Sequence, residues 1–155
     1  MKILATQYTL QYKSLDIYLA GCKGDNGIHC RNCHNPESWS FENGDLYNKR
    51  FLEKILKKIK DFDCLIENIM IFGGEPNDQN YNELECFLRD LKETGKKIWL
   101  FTRYKFSDLP QFEYELCDYI KCGEYNENLK TTNNKQYGIQ LATSNQKIYK
   151  KNIDY

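Results

Sequence analysis

Neither sign of charge prevails in this sequence. Its 155 residues carry 22 basic and 22 acidic side chains, so no overall field draws the protein onto nucleic acid or an anionic membrane. Long apolar runs are missing as well. Nothing approaches the roughly 18 to 20 residues needed to span a bilayer, and the N-terminal MKILATQYTLQYKSLDIY lacks a continuous signal-peptide core. These absences predict a cytoplasmic protein with no nucleic-acid or membrane partner. The seven cysteines are an odd number, in a chain long enough to do without disulfides. A reducing compartment leaves such thiols free for metals or chemistry. Histidine is scarce: the chain's two copies, His29 and His34, stand in one loop.

What is present suffices for one core. Hydrophobic residues make up 41% and aromatics 14% of the chain, and the length favours a single domain over 1–155. The basic run of Lys49, Arg50, Lys54, Lys57, Lys58 and Lys60 falls on an amphipathic helix and reads as its solvated face.

The segment SLDIYLAG (14–21) alternates as a strand does. Phe51, Leu52, Ile55, Leu56 and Ile59 recur at helical spacing, predicting a helix over about 47–61. IENIMIFGG reads as a buried strand closed by a special turn. Tyr81, Leu84, Phe87, Leu88 and Leu91 predict a second helix stopped near Gly95. Strands follow at 97–102 and 118–125, with a weak helix over 107–117 between them and a last strand and turn in 138–150. The alternation predicts an α/β fold: an open, mostly parallel sheet of about five strands, forming a partial (β/α) barrel. The chain is too short for a full barrel of roughly 250 residues. The cysteine loop, Gly73-Gly74 and Thr102 all fall at the carboxyl ends of strands, where functional loops of such sheets gather.

The loop GCKGDNGIHCRNCHNP holds Cys22, Cys30 and Cys33 within twelve positions. Lys, Asp, Asn, Arg and Gly surround these thiols, which is no core environment. Two metal readings stand open. Three thiolates with His29 or His34 would complete a Cys3His zinc shell, and Cys30-x2-Cys33 has suitable spacing. Alternatively, three thiolates hold an iron-sulfur cluster and leave one iron open for a ligand. A second motif, IFGGEP (71–76), adds weight to the latter. Two glycines at a strand end let the backbone approach a ligand closely, and their amides and carbonyls can grip a polar group.

Taken together, GC...C..CHNPESW and GGEP resemble the radical S-adenosylmethionine superfamily, in particular its small activases of glycyl-radical enzymes. KIWLFTRY, DYIKCGEYNENLK and LATSNQKIYK are similar to the late strands and tail of the anaerobic ribonucleotide reductase activases, so the likeness covers nearly the whole chain. The resemblance implies that Cys22, Cys30 and Cys33 ligate a 4Fe-4S cluster, with S-adenosylmethionine on the fourth iron. It implies cofactor contacts from Asn32, His34, Gly73, Gly74, Glu75 and Thr102, with no catalytic residue beyond cluster and cofactor.

By the same resemblance, one electron passed to the sulfonium yields a 5'-deoxyadenosyl radical that removes hydrogen from a glycine of a large partner, anaerobic ribonucleotide reductase. A reductant such as flavodoxin or ferredoxin is implied. No general base is needed, which suits a chain with no histidine outside the loop. A small radical enzyme of another branch, acting on a peptide or metabolite, is the second reading, and a zinc-stabilised binding module the third.

Several features depart from the subgroup's usual form. Seven residues rather than three separate the first two cysteines, Asn32 precedes the last, Arg103 stands where Gly is common, and the tail lacks an Arg-Gly. The long gap reads as a local insertion. GDNG (24–27) is composed of turn formers, and four extra residues add only about a fraction of a kcal/mol of closure entropy. Residues 23–29 are therefore expected to bulge out while the three cysteines share one cluster. Cys64, Cys86, Cys117 and Cys122 lie singly, without paired spacing, which argues against a second cluster. Cys86 falls opposite the Leu84/Leu88/Leu91 stripe and should be exposed, whereas Cys122 should be core.

Overall fold

The computed structural model describes residues 1–155. In chain order the elements are β1 (Lys2–Thr9), β2 (Ser14–Ala20), β3 (Asp45–Leu46), α1 (Lys49–Asp61), β4 (Asn68–Gly73), α2 (Tyr81–Lys92) and β5 (Lys97–Phe101). After these come α3 (Gln111–Leu116), β6 (Tyr119–Cys122), β7 (Lys135–Gln136), β8 (Ile139–Gln140) and β9 (Lys147–Lys150). The main sheet has seven strands in the order β3-β1-β2-β4-β5-β6-β9, and β7 with β8 makes a separate ribbon.

The predicted parallel centre is present: β2, β4, β5 and β6 pair in parallel. The expected last strand is β9, which joins antiparallel to β6. The expectation of about five strands is too low, because β1 and β3 add two more antiparallel strands beside β2. The edge at β1 escapes the pattern since it buries Ile3 alone and shows no apolar stripe. Segment 138–150 divides into β8 and β9 with a turn between.

Each face of the sheet has its own core. On one side Ile55 and Ile59 of α1 and Leu84, Phe87, Leu88 and Leu91 of α2 cluster with Ile17, Ile69, Ile71, Ile98, Leu100 and Ile120. On the other, Met70 and Trp99 meet Ile139, Leu141 and Ile148, so the late chain covers what the helices leave open. Asn48 caps α1 by accepting from Phe51 N–H at 3.0 Å, and Asn80 caps α2 by accepting from Asn82 N–H at 3.0 Å. The basic run lies exposed along α1, as expected of a solvated face. Cys86 is exposed and Cys122 buried. No helix is long and apolar enough to cross a membrane.

Candidate metal centre

The parallel register brings three loops to one edge. Leu19 of β2 pairs with Gly73 of β4, and Phe101 of β5 pairs with Lys121 of β6. The cysteine loop, the Gly-Gly-Glu-Pro turn and Thr102-Arg103 therefore begin side by side.

The cysteine loop is tied at its start. Gly21 N–H donates to Ser38 O at 2.7 Å and Cys22 N–H to Trp39 O at 3.0 Å. His29 stacks on Trp39 with centroids 4.2 Å apart, and its Nε2 donates to Cys22 O at 2.9 Å. Both backbone groups of Cys22 are thereby held. Between them the insertion folds back on itself: Asp25 and Ile28 exchange N–H to O bonds of 2.9 and 2.8 Å. Asn26 (φ 49°) and Gly27 (φ 82°) form the two-residue turn, both with the left-handed backbone of a primed hairpin, for which Asn-Gly is the favoured pair. The expected bulge is thus a small hairpin with Ile28 exposed near its tip.

Cys33 N–H donates to Cys30 O at 3.2 Å, closing a turn in which Asn32 has φ 58°. That conformation accounts for Asn before the last cysteine, since Asn tolerates it better than most side chains. His34 is exposed. Cys22, Cys30 and Cys33 are free and partly buried, and burial pushes the Cys22 thiol up from its ordinary value.

The glycine turn continues the sheet. Gly74 N–H donates to Leu19 O and Glu75 N–H to Gly21 O, each at 2.7 Å. The Gly74 amide, expected to be open to a ligand, instead joins that of Glu75 in extending the ladder onto β2. Gly73 has φ 98°, and a Cβ at Gly74 would lie 2.1 Å from Gly21 O. Two backbones thus touch directly, one residue before the first thiol.

The Glu75 carboxylate is buried and faces inward. Its Oε1 accepts from Asn77 N–H at 3.0 Å and from the Thr102 hydroxyl at 2.5 Å, and its Oε2 accepts from Arg103 N–H at 2.8 Å. Burial pushes its carboxyl above the usual range despite these donors. The Thr102 hydroxyl also accepts from Asn77 Nδ2 at 3.3 Å and Tyr104 N–H at 3.1 Å. Glu75 and Thr102, read from the sequence as cofactor contacts, here hold the loops to each other.

Sequence reasoning missed the polar residues that complete this web. Gln79 Nε2 donates to Ala20 O at 3.0 Å and Gly21 O at 3.1 Å. Asp78 accepts from Lys23 N–H at 2.6 Å and the Tyr104 hydroxyl at 2.8 Å. Glu113, fully buried in α3, is reached by Asn77 Nδ2 at 3.4 Å and is pushed up to about 8 by burial. For Asn77, Asp78 and Gln79 the unbroken polar run NDQN after GGEP was the available signal. Beside the site Tyr18, Phe72, Phe101 and Lys121 form a row across four strands on the sheet face away from the helices. Tyr18 and Phe72 stack at 5.6 Å and Phe72 meets Phe101 at 4.3 Å. Lys121 Nζ donates to Gly123 O at 2.6 Å, and burial pushes it down to about 8.

The donor set suits an iron-sulfur cluster. Three soft thiols share one loop, and His29 Nε2 is occupied by Cys22 O. No three His, Cys, Asp or Glu groups converge on a single-ion position.

A three-thiol loop beside a glycine turn, at the carboxyl edge of a largely parallel sheet, defines an iron-sulfur domain. The family described as "4Fe-4S single cluster domain" matches residues 13–149, and the chain belongs to it. Curated relatives named anaerobic ribonucleoside-triphosphate reductase-activating protein are similar to it in sequence. The one from Enterobacteria phage T4 is 30% identical over 74% of this chain and 72% of its own length. That of Haemophilus influenzae is 28% identical over 67% of this chain and 66% of its own. The Salmonella typhimurium protein is 26% identical over 74% and 75%.

Proposed function

We propose that this chain is a radical S-adenosylmethionine activase. It cleaves the cofactor reductively at a 4Fe-4S cluster held by Cys22, Cys30 and Cys33, and installs a glycyl radical on anaerobic ribonucleoside-triphosphate reductase. Supporting the partner are the names of the relatives. The observation that carries the chemistry is the junction of the two motifs, where Glu75 N–H bonds Gly21 O at 2.7 Å beside the first thiol.

When bound, the group supplies one-electron cleavage of a sulfonium and a primary carbon radical able to take hydrogen from a glycine α-carbon. The protein's part is to bind and orient. Three thiolates leave one position open for a ligand. Asn32 and His34, on either side of Cys33, and the backbone of Gly73 and Gly74 are assigned to the cofactor. Glu75 and Thr102 keep that backbone in place. The row of Tyr18, Phe72 and Phe101 offers a flat apolar floor for the adenosyl group, next to an edge that the partner enzyme covers. We further assign the chain one domain over 1–155, a sheet curved as a partial (β/α) barrel, a flavodoxin- or ferredoxin-type reductant and a cytoplasmic setting.

Anaerobic reconstitution tests the reading. Iron and sulfide should bind the wild type and fall in Cys22→Ser. S-adenosylmethionine with a reductant should then yield 5'-deoxyadenosine and methionine, and a glycyl radical signal should appear in the reductase. Zinc without iron would overturn the cluster, and cleavage with no radical on the reductase would overturn the partner.

A further inference from the structure

We propose that Asp78, paired with Arg103, positions the first cysteine arm of the cluster loop, and that this latch is what lets the loop carry seven residues between Cys22 and Cys30. The inference rests on the reading that Cys22, Cys30 and Cys33 share one cluster.

Asp78 has a side chain 1% exposed, and each of its oxygens is engaged. Oδ2 accepts from Lys23 N–H at 2.6 Å, directly after Cys22. Oδ1 accepts from the Tyr104 hydroxyl at 2.8 Å and from Arg103 Nη2 at 3.3 Å. A buried carboxylate is costly unless charge and hydrogen bonds compensate it, and Arg103 supplies the charge. Its Nε stands 4.0 Å from Glu75 Oε2, so one guanidinium serves both acids.

The latch sits where the insertion needs it. Cys22 N–H is held by Trp39, Cys22 O by His29, and the next amide by Asp78. Immediately beyond, Gly24 turns with φ 68° and the Asp25–Ile28 hairpin closes. The chain then returns through His29, stacked on Trp39. Asp78 fixes one end of the excursion and the His29–Trp39 stack the other, so the hairpin hangs outside two fixed points. A loop with three residues between the cysteines would constrain Cys22 by its own shortness and would need no such latch.

The test crosses Asp78→Asn and Arg103→Gln with deletion of residues 24–27, which restores a three-residue gap. After anaerobic reconstitution, cluster retention against a chelator and the midpoint potential by spectroscopic titration are measured. In the natural loop, Asp78→Asn is expected to weaken retention by roughly tenfold or more, as loss of a group orienting a metal ligand does. In the shortened loop it should change retention little. Removing the negative charge should make the potential less negative, Arg103→Gln should move it the other way, and the double variant should lie between. Equal losses in long and short loops, or potentials that do not separate by sign, would overturn the proposal. Tyr104→Phe, which removes one donor to Asp78 without altering charge, should give a smaller loss of the same kind; if Asp78→Asn fails to fold, as judged by apo-protein melting, that variant decides. Absence of iron in the wild type would instead overturn the underlying cluster reading.

Discussion

Gly74→Ala should damage the protein far beyond what one methyl group suggests. The added Cβ would lie 2.1 Å from Gly21 O, 2.6 Å from its carbonyl carbon and 2.9 Å from its nitrogen, all backbone atoms. A carbon normally stays about 3.3 Å from an oxygen, so the turn and β2 must part by roughly an ångström. The Glu75 N–H to Gly21 O bond, 2.7 Å long, and the Gln79 bond to the same oxygen, 3.1 Å, would both be lost or strained. Two such bonds are worth about 2 kcal/mol, and overpacking a close-packed region adds about 1 to 3 kcal/mol. A net loss of about 3 to 5 kcal/mol, at about 2 to 4 °C per kcal/mol for a chain of this size, predicts a melting point roughly 6 to 20 °C lower. Gly27→Ala is the control. Gly27 has no atom within 4 Å of the added carbon, yet φ is +82°, so only the left-handed backbone cost of about 1 to 2 kcal/mol applies. Anaerobic melting of the apo proteins by circular dichroism checks both. A Gly74→Ala melt indistinguishable from wild type, or a Gly27→Ala loss as large, would refute the claim that backbone contact at Gly21 holds the two motifs together.

Glu113→Gln should stabilise the protein in a pH-dependent way. The carboxyl ordinarily ionises near 4.5 but keeps its proton to about pH 8 when folded. Between those values the folded chain binds one more proton, so the contribution of Glu113 to stability falls as pH rises toward 8. The variant should therefore gain over wild type at pH 8 by up to a few kcal/mol and lose that gain near pH 5, as read by denaturant titration at the two pH values. Deletion of residues 24–27 should leave iron and sulfide per chain unchanged, because the excised hairpin closes on itself; loss of the cluster on deletion would contradict that. Thiol labelling of the loaded protein should reach exposed Cys64 and Cys86 quickly and spare buried Cys117 and Cys122. Burial pushes the Cys122 thiol up to about 12, and mass spectrometry of labelled peptides counts the four.

Much of the frame was legible because its signals are local. Alternation in 14–21 and helical spacing over 47–61 depend on neighbours a few residues apart, and the structure has β2 and α1 there. The Asn-Gly turn inside the cysteine loop is likewise a property of four consecutive residues, and it closes as turn chemistry predicts. The two motifs could be recognised by residue type and spacing alone. β1 and β3 were not legible, since β1 buries Ile3 alone and its pairing is decided by β2 and β3 rather than by its own pattern.

The interior of the site was decided by tertiary structure. Asp78 meets Lys23 across 55 residues, and Glu75 meets Thr102 across 27. These meetings follow from the parallel register of β2, β4 and β5, a collective outcome of packing on both sheet faces. Glu75 could be read in sequence as a residue for a ligand. Only the register shows that its carboxylate turns inward, because a buried charge must take the donors the neighbouring strand ends place beside it. Residue type and local spacing thus established which atoms are available for chemistry here. The folded sheet alone determined which of them bond to one another and hold the loops in place.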